Sequence, residues 1–179
     1  MARVGLNLAG AEFGTIPGTY GTDYQYDGQA SLDALAALGV THLRVPIRME
    51  RLQPTPSAAF DSAEQTRLLA FLDRVVLAGM TCKIEAHQAG RRIVSGVTQV
   101  LGSAGYTQAQ HADFYSRLAA LVAPRPEVVA LGHNEPHDLT AVSASFQAIS
   151  IRYDWESVGP AVPYPDLTIY PSSTLFPGV

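Results

Sequence analysis

Short apolar runs alternate with longer amphipathic ones through most of this chain, and the two kinds have different periods. Val4-Gly5-Leu6-Asn7-Leu8 reads as a first strand, followed by a loop rich in Gly, Thr and Tyr from Gly10 to Gly28. Ser31 to Leu38 carries Leu at i, i+3 and i+6 and is predicted to be a helix stopped by Gly39. Thr41-His42-Leu43-Arg44-Val45-Pro46-Ile47 is a second strand. Asp61 is placed to cap a helix reaching Ala78, with Leu68, Leu69, Leu72, Val75 and Val76 on one face and Gly79 at its end. Met80 to His87 is a third strand, Thr107 caps a helix over 108–122 that Pro124 and Pro126 break, and Val128 to His133 is a fourth strand. A weak helix over 141–149 follows. Strands alternating with helices in this way predict βαβ units and a parallel sheet.

The end of the chain has another character. From Gly159 onward there are five prolines in twenty-one residues and no helical period. Tyr164-Pro165, Tyr170-Pro171 and Phe176-Pro177 recur every six residues, a spacing that aligns the three rings on either an extended strand or a polyproline helix. An extended arm that docks through Tyr164, Tyr170 and Phe176 is expected, with a disordered Pro-rich terminus as the alternative. The chain is therefore divided into a partial (β/α) barrel over 1–150 and an arm over 151–179. With 179 residues it is short for a whole (β/α)8 barrel, which takes roughly 250. The fold class is α/β, an incomplete (half) TIM barrel with parallel strands plus the Pro-rich extended C-terminal arm.

Charge and composition narrow the partners. A net charge of −4 removes the basic surface that nucleic acid or an anionic membrane would reward, so neither is expected as a partner. No run approaches the ~20 apolar residues of a membrane span. Met1-Ala2-Arg3-Val4 leads straight into the first strand, so no secretory signal is read there. Cys82 is alone, which excludes an internal disulfide framework, and its apolar neighbours predict a buried, inert thiol.

In a parallel barrel the reactive groups gather at the C-terminal ends of the strands. Those ends deliver Asn7, Arg44, His87-Gln88 and Asn134-Glu135 in succession. Packing alone does not call for them, because an unpaired Arg or Glu in a core costs several kcal/mol. Glu135, after an apolar strand and before Pro136, is the candidate proton donor, since partial desolvation raises a carboxyl pKa. Arg44 supplies electrostatic support or orients a carboxylate. No His-x-His or His-x3-His pair joins His87 and His133 to Glu135, so no metal and no cofactor is expected. His42 and His111 are read as surface or core residues. Neither a nucleophile elbow nor a phosphate loop is present.

These residues resemble glycoside hydrolase family 5, the cellulase family. The resemblance lies in Gly5-Leu6-Asn7-Leu8-Ala9-Gly10-Ala11-Glu12-Phe13-Gly14, Leu43-Arg44-Val45-Pro46, Glu50-Arg51-Leu52-Gln53-Pro54, Glu85-Ala86-His87 and Asn134-Glu135-Pro136-His137-Asp138, in the family's order over roughly residues 3–140. It implies Glu135 as acid/base, Asn134 as holder of a sugar 2-hydroxyl, and Arg44 as the residue that steadies the nucleophile. His87 matches the strand-three histidine, while Gln88 stands where Asn is usual. The family draws its nucleophile from the seventh strand, and the 44 residues after Glu135 are too few for four further units of about 30 each. Sugar-stacking rings are expected from Tyr20, Tyr24, Tyr26 and Trp155. The closing Tyr-Pro-Ser-Ser-Thr-Leu-Phe-Pro-Gly resembles the Tyr-Pro repeats that end some actinobacterial phage minor tail proteins.

Three readings follow. The first is a β-glycan hydrolase of endoglucanase type completed by association. The second is a glycan-binding relative without turnover. The third, preferred here, is a virion component with catalysis reduced or lost, its arm contacting other virion or self subunits. All three take a polysaccharide or cell-wall glycan as partner. A virion location is expected, and otherwise a cytoplasmic one.

Overall fold

The computed structural model describes residues 4–88, 90–133 and 153–155. In chain order the elements are β1 (Val4–Asn7), α1 (Gln29–Ala37), β2 (Val40–Ile47), α2 (Met49–Leu52), α3 (Ser62–Leu77), β3 (Thr81–Ala86), β4 (Arg91–Val94), β5 (Val97–Val100), α4 (Gln108–Val122), β6 (Val128–His133) and β7 (Tyr153–Trp155). One sheet runs β1-β2-β3-β6-β7, and every pairing in it is parallel. The four strands and three long helices expected from hydrophobic period are all present. Tyr153–Trp155, which the division by composition assigned to the start of the arm, pairs with Leu131–His133 as a fifth parallel strand. The weak helix over 141–149 and the Tyr-Pro arm lie outside the described residues.

The helices form where their termini are satisfied and their apolar stripes are continuous. The Asp61 carboxylate accepts from the Glu64 N–H at 2.8 Å and opens α3, which buries Leu68, Phe71, Leu72 and Val75. The expected stripe included Val76, but Val76 is half exposed and Phe71 takes its place, keeping the i, i+3, i+4, i+7 spacing. At the start of α4, Thr107 and Gln110 cap each other's backbone reciprocally, and His111, Phe114, Tyr115, Leu118 and Val122 are buried. In α1, Leu32 is fully buried and Leu35 packs on the core, whereas Leu38 caps the helix at 79% exposure. Six residues along a helix is about 120° off the first residue's face, so the i+6 leucine belonged to no stripe.

Three further elements were not anticipated. The single turn α2 follows β2 directly. Strands β4 and β5 form an antiparallel hairpin between β3 and α4, closed by Ser95 at φ 49° and Gly96 at φ 78°. Positive φ at both central residues is the tight turn whose twist matches its flanking strands, and Ser-Gly was its sequence signal.

Alternation along the strands divides the sheet into two faces. Leu43, Val45 and Ile47 of β2 and Cys82, Ile84 and Ala86 of β3 are buried in one core with Leu32, Phe71, Phe114 and Leu118 from the three long helices. The intervening residues, His42, Arg44 and Pro46 on β2 and Thr81, Lys83 and Glu85 on β3, line the opposite face. Leu43, Val45 and Ile47, with Cys82, Ile84 and Ala86, face the helices. The chemistry faces the other way.

Candidate functional site

Register brings the polar residues together at one rim. Asn7 ends β1 and is level with Arg44 on β2, whose neighbour on β3 is Lys83. The Arg44 side chain reaches one pleat further up β3, where its Nε donates to the Glu85 carboxylate while Nη1 donates to Asn7 Oδ1. His87, just past the end of β3, places Nδ1 3.0 Å from Glu85 Oε1 and 3.4 Å from Arg44 Nη2. Three successive strands thus contribute Asn7, Arg44, Glu85 and His87 to one cluster.

Electrostatics explain why the cluster tolerates a carboxylate with no solvent exposure. Burial alone pushes the Glu85 pKa up, but the hydrogen bond from His87, with the charge and hydrogen bond of Arg44, outweighs it and holds the carboxyl below its ordinary value. Glu85 is therefore ionised, with one oxygen turned to Arg44 and the other to His87. A proton on Nδ1 of His87 satisfies that contact. Arg44 keeps 18% of its side chain in contact with solvent and His87 keeps 39%, so both are open to solvent.

A further shell lies behind the rim. Arg48 Nη1 donates to the His87 carbonyl at 3.0 Å, and its Nε lies 3.4 Å from Glu50 Oε2. Gln88 Nε2 also donates to Glu50 Oε2, at 3.2 Å, and the Ile93 N–H of β4 donates to Oε1 at 2.9 Å. Gln88 is itself buried, so it supports the rim from behind.

The loop after β1 is fixed by another arginine. Arg51 donates to the carbonyls of Ala11, Phe13, Thr15 and Pro17 and stacks 3.7 Å above the Tyr24 ring. The hydroxyls of Tyr24 and Tyr26 both donate to Glu64, at 2.6 and 2.9 Å. Burial and the Glu64 carboxylate push the Tyr24 phenol up to about 12. Tyr24 and Tyr26 are consequently core residues, which corrects their expected role as sugar-stacking rings. Phe13 and Tyr20 are the exposed rings of this loop, and Tyr20 lies beside the Arg67 guanidinium.

Of the expected site residues, Asn7, Arg44 and His87 converge and Gln88 adjoins them. Asn134, Glu135, Tyr164, Tyr170 and Phe176 lie outside the described residues. Two residues to which the sequence reading gave no role carry much of the local electrostatics: Glu85 and Glu50. Glu85 had a visible signal, being the single acid within an apolar strand and lying two residues from His87. His42 and His111 are both buried; His111 lies 2.6 Å from the Tyr106 hydroxyl within the α4 core. Cys82 is buried as expected, its thiol pushed up to about 12 by burial.

The chain matches the cellulase family, glycosyl hydrolase family 5, over residues 4–158. It is 33% identical over 137 residues to endo-beta-1,4-glucanase B of Emericella nidulans, covering 75% of this chain and 39% of that protein. It is 30% identical over 139 residues to the probable endo-beta-1,4-glucanase B of Aspergillus oryzae, covering 76% of this chain and 39% of that one. Among solved structures, an endo-beta-1,4-glucanase of Xanthomonas axonopodis pv. citri superposes with TM-score 0.74 at 26% identity, over 83% of this chain and 48% of that chain. The Pseudomonas stutzeri endoglucanase Cel5A, solved with cellobiose, gives 0.73 at 26% identity over 80% and 45%. The chain spans about two-fifths of the length of these curated relatives and presents part of a (β/α)8 barrel. With that fold and the Asn7–Arg44–Glu85–His87 rim, the chain belongs to glycosyl hydrolase family 5, the cellulases.

Proposed function

We propose that this chain engages a β-1,4-linked glucan at the rim formed by Asn7, Arg44 and His87, with Asn134 and Glu135 extending the same site. The observation that carries the reading is the solvent-reached guanidinium of Arg44, held by side chains from the strands on either side of it. A planar donor fixed in this way hydrogen-bonds sugar hydroxyls or a carboxylate without reorganising. Glu135 is assigned as the acid/base that protonates the departing glycosidic oxygen, and Asn134 as the holder of the sugar 2-hydroxyl.

A retaining glycosidase needs a second carboxylate about 5–5.5 Å from the first. Glu85 does not serve, because it is fully buried and both its oxygens are engaged by Arg44 and His87. Turnover therefore requires a carboxylate from beyond the described residues, or from a second copy of the chain. Calorimetric titration with cellopentaose is expected to show binding that Arg44→Met abolishes, and an unchanged affinity would overturn the assignment. Release of reducing sugar from a soluble β-1,4-glucan, lost in Glu135→Gln, separates the hydrolase from a glycan binder.

A second reading rests on the Tyr164, Tyr170 and Phe176 repeat, each ring followed by Pro at a six-residue interval. It makes the chain a virion component whose arm joins other virion or self subunits, with catalysis reduced or lost. Deleting residues 160–179 is then expected to abolish assembly while sparing sugar affinity. Intact assembly after the deletion rejects this reading.

A further inference from the structure

We propose that Glu50 is a positioning residue for the sugar site, fixing the end of β3 and the β4–β5 hairpin in one frame behind His87. The proposal rests on the reading of the rim as a glucan site. Glu50 is only 3% exposed, and nothing in the assigned chemistry uses it. Each of its oxygens nevertheless holds a different part of the rim. Oε1 accepts from the Ile93 N–H at 2.9 Å and so ties down the hairpin. Oε2 accepts from Gln88 Nε2 at 3.2 Å and lies 3.4 Å from Arg48 Nε.

Arg48 carries the effect onward, because its Nη1 donates to the His87 carbonyl at 3.0 Å. On the other side of the same peptide chain, the His87 N–H donates to the Ile47 carbonyl at 2.9 Å. The His87 backbone is thus gripped at both ends, and one of the two grips depends on Glu50. The ring has its own partners, Glu85 at 3.0 Å and Arg44 at 3.4 Å, so a shift of the His87 backbone moves the imidazole against the guanidinium. A small displacement of a fixed group costs much of the advantage of holding it in place.

The isosteric variant gives a graded test. Gln88 Oε1 is buried without a hydrogen-bond partner. In Glu50→Gln, the Gln88 amide turns over so that Oε1 accepts from the new amide, while the Ile93 N–H keeps its acceptor. Glu50→Met removes every one of these contacts. Asp73→Asn, which alters an ion pair with Arg125 away from the rim, controls for a general loss of stability.

The full chain is labelled, and three quantities are measured for each variant: cellopentaose affinity, hydrogen exchange of the Ile93 amide, and the His87 imidazole resonances. Glu50→Met is expected to weaken cellopentaose binding about tenfold, the consequence of losing a charge-assisted hydrogen bond. It is also expected to speed Ile93 exchange and move the His87 signals. Glu50→Gln recovers most of the affinity, and Asp73→Asn leaves all three readouts unchanged. Arg48→Met, which removes the Glu50 ion pair and the link to His87 but leaves the Glu50–Ile93 hydrogen bond in place, moves the His87 signals with Ile93 still protected, and it serves if Glu50→Met does not fold. Unmoved His87 signals in Arg48→Met, or wild-type affinity in a folded Glu50→Met, overturn the proposal. If the wild-type chain binds no cellopentaose, the glucan reading fails, and the His87 and Ile93 signals still decide the role of Glu50.

Discussion

Arg44 and Arg51 lie seven residues apart, and each gathers several partners, yet the two regions they organise are built on opposite principles. Arg51 is 4% exposed and spends its donors on four main-chain carbonyls of a single loop, with the Tyr24 ring beneath it. Arg44 remains open to solvent and binds side chains contributed by the two strands that flank its own. Carbonyls are acceptors that folding must satisfy somewhere, so an arginine that collects them completes a fold. Side chains drawn from separate strands need not have been polar at all. Their convergence on a partly open guanidinium marks a site.

The sharpest way to break this contrast is to remove each arginine in turn. Arg51→Met leaves four loop carbonyls without their donor in a closed setting and is expected to cost about 4 kcal/mol in urea unfolding. The His87 resonances should stay near their wild-type positions. Should Arg51→Met prove neutral, the loop is held by something other than its clamp. Arg44→Met strands the Glu85 carboxylate with only His87 as partner and is expected to cost about 2 kcal/mol, less than for a fully buried pair because Arg44 is partly hydrated. Adding Glu85→Met to Arg44→Met should restore most of that stability, since an apolar pair replaces an ionic one without desolvation. Cellopentaose affinity should remain lost. Stability and binding then separate at Arg44, which they do not at Arg51. Recovery of affinity in the double variant would mean that Arg44 only supports the fold.

Acid pH probes the same rim with a smaller effect. The Glu85 carboxyl is held below its ordinary value in the folded chain, against the upward push of burial, by His87 and Arg44. The unfolded chain therefore binds more protons than the folded one between the folded pKa and about 4.3, and stability rises with pH through that window. The contribution is complete above the unfolded value and is lost as pH falls through the folded one. Asp113, held low by its hydrogen bond with Arg117, slopes in the same direction. The difference between wild type and Glu85→Gln isolates the rim: the variant should show a flatter acid limb in chemical unfolding. Superimposable limbs would place Glu85 outside the ionic cluster.

What the sequence revealed follows the same division. The apolar residues of the strands, the Asp61 and Thr107 caps and the strand-end Asn7, Arg44 and His87 were legible because each is a local pattern with a fixed period or position. Glu85 and Glu50 were not assigned, although both lay within noticed motifs. Their roles come from partners about forty residues away, and register across a sheet is not written in either segment alone. The tyrosines of the first loop misled for a related reason. Aromatic composition gives the number of rings but not which side they face, and Glu64, forty residues on from Tyr24, turned Tyr24 and Tyr26 inward.

The hairpin behind the rim offers the gentlest test of the comparison, because its turn holds a strained residue that a substitution should relieve. Ser95 adopts φ 49° and Gly96 φ 78°, so both central residues occupy the left-handed region. Glycine enters it freely, whereas serine pays a steric cost there that asparagine largely avoids. Ser95→Asn is therefore expected to stabilise the folded chain by about 0.5 kcal/mol, read as a small rise in the urea midpoint. The gain should appear on one side of the molecule only. Ile93, two residues before the turn, hangs from Glu50, so its amide exchange should slow, while amides of the Arg51-clamped loop exchange as before. Equal slowing in both regions would mean that the rim and the first loop open together, and the distinction between the two arginines would then be one of chemistry without a counterpart in dynamics.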